Sequence, residues 1–141
     1  MKVAIIAARF NAFIVDPLVD KATATLRERG VAEGDIFVAR VPGAFEIPAV
    51  AQRLADSGAW DAVICVGCVI RGATSHYDFV AGHAAYGVGE VAMKAKVPVI
   101  FGVLTVENVE QAMDRLGHGA SFAHAALDMA SLYRELDQRA S

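Results

Sequence analysis

Short apolar runs alternate along the chain with longer stretches whose apolar residues recur every three or four positions. Val3-Ala4-Ile5-Ile6-Ala7 is the first strand candidate. Asp16-Pro17 predicts an N-cap followed by proline at the first helical position, and Val15, Leu18, Val19, Ala22 and Leu26 recur at helical spacing. Lys21, Arg27 and Glu28 supply the wet face, and Gly30 ends the helix. Ile36 to Val41 reads as a second strand and Glu46 to Ser57 as a second helix, with Pro48 in its first turn and Gly58 beyond its end. Asp61 to Val69 is a third strand, and its Ala-Val-Ile-Cys-Val core is apolar on both faces, as a buried parallel strand requires. Ser75 and Asp78 have capping-box spacing and open a helix to about Lys96. Val97 to Leu104 is the fourth strand, with Pro98 near its start. Thr105 is placed to cap a short helix to about Arg115, and a last helix runs from about Ser121 to Leu136.

The order β-α-β-α-β-α-β-α-α implies a parallel sheet covered on both faces through right-handed crossovers. The expected architecture is a three-layer α/β/α fold with a four-stranded parallel sheet and flavodoxin-like topology. A length of 141 residues fits a single domain over 1–141. The apolar fraction of 55% excludes a disordered chain and is high for so small a domain, which points to surface covered by partner subunits. The third helix adds to this: Ala81, Gly82, Ala84, Ala85, Gly87, Gly89 and Ala92 leave it nearly without bulk. Such a helix either packs closely on the sheet or lies tightly against another subunit, or does both.

With 13 Lys+Arg against 16 Asp+Glu the net charge is −3, which gives no general footprint for nucleic acid. No stretch is long and apolar enough for a transmembrane helix, no signal peptide is expected, and the cysteine usage suits a cytoplasmic protein.

In open α/β sheets the ligand crevice lies beyond the carboxyl ends of the strands. The exits read Ala8-Arg9-Phe10-Asn11, Val41-Pro42-Gly43-Ala44-Phe45-Glu46, Gly67 to His76, and Gly102-Val103-Leu104-Thr105. Aromatic, carboxylate, arginine and histidine groups are thus expected to converge on one edge, as in a small-molecule site. Gly72-Ala73-Thr74 precedes a helix start, where free N–H groups and the helix dipole favour an anion; an ordinary strand-to-helix turn has the same sequence. His76 lies at the first turn of that helix. Histidines as a class titrate near neutrality, so it is a candidate for proton transfer, with a capping surface residue as the plain alternative. No phosphate-binding or dinucleotide glycine motif and no H-E-x-x-H occurs, and metal binding is not expected. Cys65 and Cys68 fall in a strand at positions facing opposite sides, so they read as core residues rather than a redox pair. A receiver domain of the same topology would need acidic residues after the first strand, where this chain has Arg9-Phe10-Asn11.

The stretches Ala8–Asn11, Val41–Pro48, Val69-Ile70-Arg71-Gly72-Ala73-Thr74-Ser75-His76-Tyr77-Asp78 and Phe101–Asn108 together, in order and over nearly the whole chain, resemble the lumazine synthase family. The resemblance implies condensation of 5-amino-6-ribitylaminouracil with 3,4-dihydroxy-2-butanone 4-phosphate to 6,7-dimethyl-8-ribityllumazine, the penultimate step of riboflavin synthesis. No cofactor or metal is implied. By the same resemblance Phe10 stacks on the pyrimidine, and Ala44, Phe45 and Glu46 hold the pyrimidine and ribityl chain. Cys68, Val69 and Ile70 line the base with backbone groups, Ala73 and Thr74 bind phosphate, and His76 donates a proton. Phe101 and Arg115 match residues supplied by a neighbouring subunit, Arg115 gripping the phosphate. The implied assembly is a homo-oligomer, a pentamer or a multiple of it, with riboflavin synthase as a further partner. Two departures stand out. Arg115 is followed by Leu116-Gly117-His118-Gly119, shorter than the family's lysine-containing stretch and without a lysine; His118 is the substitute at hand. The chain also opens on its first strand, without the segment by which many members extend a neighbour's sheet. Pentamer, decamer and icosahedral shell all remain compatible. The alternative from another class is a non-catalytic flavin- or lumazine-binding protein on the same scaffold, and a purely structural shell protein is a third.

Overall fold

The computed structural model describes residues 1–141. Strands β1 (Val3–Ala8), β2 (Ile36–Val41), β3 (Ala62–Ile70) and β4 (Val99–Val106) form one parallel sheet in the order β2-β1-β3-β4. Between and after them run helices α1 (Ala12–Glu28), α2 (Ile47–Asp56), α3 (His76–Lys94), α4 (Val109–Asp114) and α5 (His118–Ala140), with single 3-10 turns at Glu33–Asp35 and Ala44–Glu46. This is the three-layer, flavodoxin-like arrangement expected from the alternating pattern. The alternation of β3 divides the core. Ala62, Ile64, Val66 and Cys68 pack with α1 and α5 residues such as Leu18, Ala22, Ala126 and Leu127. Val63, Cys65 and Val69 pack with Ile47, Ala51, Ala84 and Val88 of α2 and α3.

Helix α1 begins at Ala12, more than a turn before the Asp16-Pro17 start expected from the sequence. Asn11 stands before it in the left-handed conformation (φ 61°), and its carbonyl accepts from the N–H groups of Ile14 and Val15. Ile14 and Val15 are fully buried. Burying two such side chains contributes about 3–6 kcal/mol, against about 3 kcal/mol for a proline inside the helix, so packing outweighs the local signal. Asp16 instead pairs with Arg40 at 2.6 Å. The helix ends as expected: Gly30 (φ 95°) donates to the Arg27 carbonyl and Val31 to that of Leu26, a Schellman closure.

One expected cap does not form and two other expected boundaries shift. Ser75 makes no side-chain cap and Asp78 turns to Arg71, so the capping box does not form; the His76 N–H donates to Thr74 Oγ1 at 3.3 Å instead. Thr105 is not a cap, because β4 continues to Val106, where it pairs with the extended end of β3; Asn108 caps α4, accepting from the Gln111 N–H at 2.8 Å. Helix α5 starts at His118 rather than Ser121, since buried Gly119 lets that first turn rest against the Leu18 carbonyl of α1.

The expected close packing of α3 holds at one glycine: a Cβ on Gly87 would lie 2.7 Å from Pro48 of α2. Gly82 and Gly89 meet nothing within 4 Å. They alternate with Phe79, Tyr86 and Met93, three exposed large apolar side chains seven residues apart, in one stripe whose five positions are spaced three and four in turn.

At the opposite end of the sheet, Asp61 ties three elements together. Its Oδ2 accepts from the Lys2 N–H at 2.6 Å and its Oδ1 from Arg134 of α5 at 3.0 Å. Partial burial pushes its carboxyl up, but the Lys2 N–H, Arg134 and the N-terminal ammonium together hold it below the usual carboxylate value. A group whose folded value is lowered stabilises the fold above its unfolded pKa of about 4 and loses that contribution as pH falls through the folded value. Asp61→Asn should therefore melt earlier than the wild type at pH 7, with a narrower gap at pH 3. Parallel melting curves at the two pH values check this; a gap as wide in acid would mean the carboxylate charge is not what matters.

Candidate active site

The chain turns from β1 outward to β2 and then back across to β3, so the sheet switches direction between β1 and β3. A cavity of about 600 Å³ opens there, at the carboxyl ends of these strands. Its walls are Phe10 and Asn11 after β1, Pro42 to Glu46 after β2, Cys68 to Ile70 and Gly72 at the end of β3, and Thr74, His76, Tyr77 and Val80 at the start of α3.

The register of the sheet explains the floor. β1 pairs with β3 only as far as Ala7 opposite Val66, whereas β4 follows β3 to Ile70. The β1-facing backbone edge of β3 beyond Val66 thus has no strand partner and faces the crevice. Asn11 Nδ2 donates to the Cys68 carbonyl at 2.8 Å, bridging the gap left by β1. An exposed strand edge offers alternating donors and acceptors, which suits a flat heterocycle carrying both.

The loop from Gly72 to Ser75 forms the other wall. None of its backbone N–H groups donates to a protein acceptor. They lie at the N-terminus of α3, a helix of 19 residues, where the dipole favours negative charge. Arg71, next to the loop, is not free to serve that anion. Its Nε lies 3.0 Å from Glu107, its Nη1 3.5 Å from Asp78, and its guanidinium 4.3 Å over the Tyr77 ring. It fastens the loop to both α3 and the end of β4.

Of the residues singled out in the sequence, Phe10, Ala44, Phe45, Glu46, Cys68, Val69, Ile70, Thr74 and His76 line this cavity. Ala73 does not line it, although its N–H belongs to the loop of free donors. Neither Phe101 nor Arg115 lines it. Phe101 projects from edge strand β4 and is 40% exposed; Arg115 closes α4, its Nη1 donating to the Gln111 carbonyl at 2.9 Å. The convergence of all four strand exits is therefore corrected to three: the residues from Gly102 to Thr105 lie within β4 and contribute nothing to the cavity. The sequence assigns no role to Asn11, Tyr77 or Val80, which also line the cavity. Helical spacing from Thr74 is the signal for Tyr77 and Val80, whereas Asn11 is placed by a left-handed backbone that only the structure shows.

Cys65 and Cys68 are free, buried and divided between the two core faces. Burial pushes the Cys65 thiol up to about 12 and the Cys68 thiol to about 11, so neither forms a thiolate near neutrality. No group of three or more His, Cys, Asp or Glu is placed to hold a metal ion. No helix is long and apolar enough to cross a membrane. A second hollow of about 460 Å³, between the carboxyl ends of α3 and α5, lies at the opposite end of the sheet from the strand exits.

The crevice thus offers apolar and aromatic walls, a free backbone edge, one carboxylate, one histidine and an anion-binding turn, without a nucleophile. Such a site suits a transferase whose substrates carry their own reactive groups. Residues 1–134 match the sequence model of a family described as 6,7-dimethyl-8-ribityllumazine synthase. With that match over nearly its whole length, the chain belongs to the 6,7-dimethyl-8-ribityllumazine synthase family of transferases.

Proposed function

We propose that the protein condenses 5-amino-6-ribitylaminouracil with 3,4-dihydroxy-2-butanone 4-phosphate to give 6,7-dimethyl-8-ribityllumazine, the penultimate step of riboflavin synthesis. The observation that carries this reading is the juxtaposition, in one cavity, of a free backbone edge for a ring and a turn of free N–H groups for a phosphate. In this reading Phe10 stacks on the pyrimidine, and the backbone of Cys68, Val69 and Ile70 reads its polar edge. Ala44 and Phe45 close the wall, and Glu46 accepts from ribityl hydroxyls. The N–H groups around Ala73 and Thr74 hold the phosphate.

The nucleophile is the amino group of the pyrimidine, so the protein need not supply one. The amine adds to the ketone and water leaves to form an imine; phosphate is then eliminated, and attack by the second nitrogen closes the ring with loss of another water. His76, beside the phosphate turn, moves protons in these steps. The larger contribution is the holding of two reactive molecules together. The site's histidine and anion turn support an enzyme over a non-catalytic binder.

Phe101 and Arg115 complete the site from a neighbouring subunit, in a pentamer or a multiple of it. Their absence from the lining of the chain's own cavity and the exposed stripe Phe79, Gly82, Tyr86, Gly89, Met93 support this. The buried free thiols fit a reducing, cytoplasmic compartment. The test is to incubate the purified protein with both substrates and follow the fluorescent lumazine, with light scattering on the same sample. No product defeats the reaction; an active, stable monomer at micromolar concentration defeats the assembly.

A further inference from the structure

Phe45 stands on a single 3-10 turn, Ala44–Glu46, closed by the Glu46 N–H to the Gly43 carbonyl at 3.2 Å and by the Ile47 N–H to the Ala44 carbonyl. Phe45 is 49% exposed, so the core covers only part of it. What covers it is His83 of α3: the two ring centroids are 3.9 Å apart and the planes meet at 19°. His83 does not line the cavity, whereas Phe45 does. The imidazole therefore backs the Phe45 ring from outside, leaving the phenyl as the wall that a bound molecule meets. At an exposed position an imidazole supplies a flat ring to stack with while keeping polar nitrogens in water. Seven residues separate His83 from His76, about 10 Å along the helix axis, so this contact is remote from the anion turn.

We propose that His83 is a positioning residue for the ring-shaped substrate: by stacking on Phe45 it fixes the wall against which the pyrimidine lies, without touching that substrate itself. The proposal rests on the reading of the cavity as the pyrimidine site. It predicts a split between the two substrates, because the loop from Gly72 to Ser75 is held by Arg71 and Thr74, not by His83.

The experiment is steady-state kinetics on the whole protein for the wild type, His83→Ala and His83→Phe, each substrate varied in turn. His83→Ala should raise KM for the pyrimidine about threefold to tenfold, leaving kcat and the KM for the phosphorylated ketose unchanged. His83→Phe, which keeps a stacking ring, should restore the wild-type KM. Proton NMR gives a readout without turnover: the His83 ring protons should be shifted upfield by the Phe45 ring current and return to ordinary positions in Phe45→Leu. An unchanged pyrimidine KM in His83→Ala, an equal rise in both KM values, absence of rescue by phenylalanine, or absence of the ring-current shift would each overturn the role of His83 alone. A wild-type protein that forms no lumazine overturns the reading of the site and this inference with it.

Discussion

Arg115→Ala is expected to raise the apparent KM for the phosphorylated ketose about tenfold to a hundredfold, the loss of one charge-assisted contact of roughly 1.5–3 kcal/mol. The pyrimidine KM should stay where it is. Arg115 is suited to the part because its guanidinium is only lightly engaged: Nη1 donates to the Gln111 carbonyl at the end of α4, and no carboxylate pairs with it. Arg71, by contrast, is held by Glu107 and Asp78. Arg115→Lys keeps the charge but not the planar fork, and should fall between the two. Kinetics with the phosphorylated ketose varied, on samples whose assembly has been checked by light scattering, decide the matter. An unchanged KM in an intact assembly removes Arg115 from the site.

His76→Ala should slow the chemical step about tenfold to a hundredfold, the lower end of the usual general acid–base contribution or just below it. Both substrates are intrinsically reactive, and holding them together accounts for most of the acceleration. The substitution is structurally mild. The side chain is exposed, and the contact that closes the start of α3 uses the His76 backbone N–H and the Thr74 hydroxyl, which alanine preserves. Pyrimidine binding should be nearly intact. Single-turnover kinetics across pH on both proteins provide the measurement. A mutant as fast as the wild type throughout makes His76 a mere surface residue of the helix start and passes the role of proton donor to His118.

The layers were legible because burial writes them directly: a strand covered on both faces has no polar positions, and Ala62 to Val69 has none. The ends of elements were less legible, since each is decided by partners distant in sequence. Pro17 reads as a helix start until Ile14 and Val15 are seen in the core. Thr105 reads as a cap until β3 is seen to extend beside it. Asp78 reads as half of a capping box until Arg71 claims its carboxylate. The site was legible where residue type carries chemistry, as at Glu46 and His76. Asn11 and His83 were not assigned roles, because one acts through a left-handed backbone and the other through a stack across elements. Phe101 and Arg115 could be placed only by resemblance; the cavity of one chain does not contain them.

The overhang of β3 past the end of β1 means that part of the site is made of peptide groups rather than side chains. Recognition of that kind is invisible to alanine scanning. Truncating Val69 or Ile70 changes the volume of the wall while every amide stays in place. Replacing a single amide by an ester along this edge deletes one donor and leaves the side chains alone. It is also a part of the site that every substitution except proline leaves in place, so its chemistry can persist while the letters that encode it drift among small apolar residues.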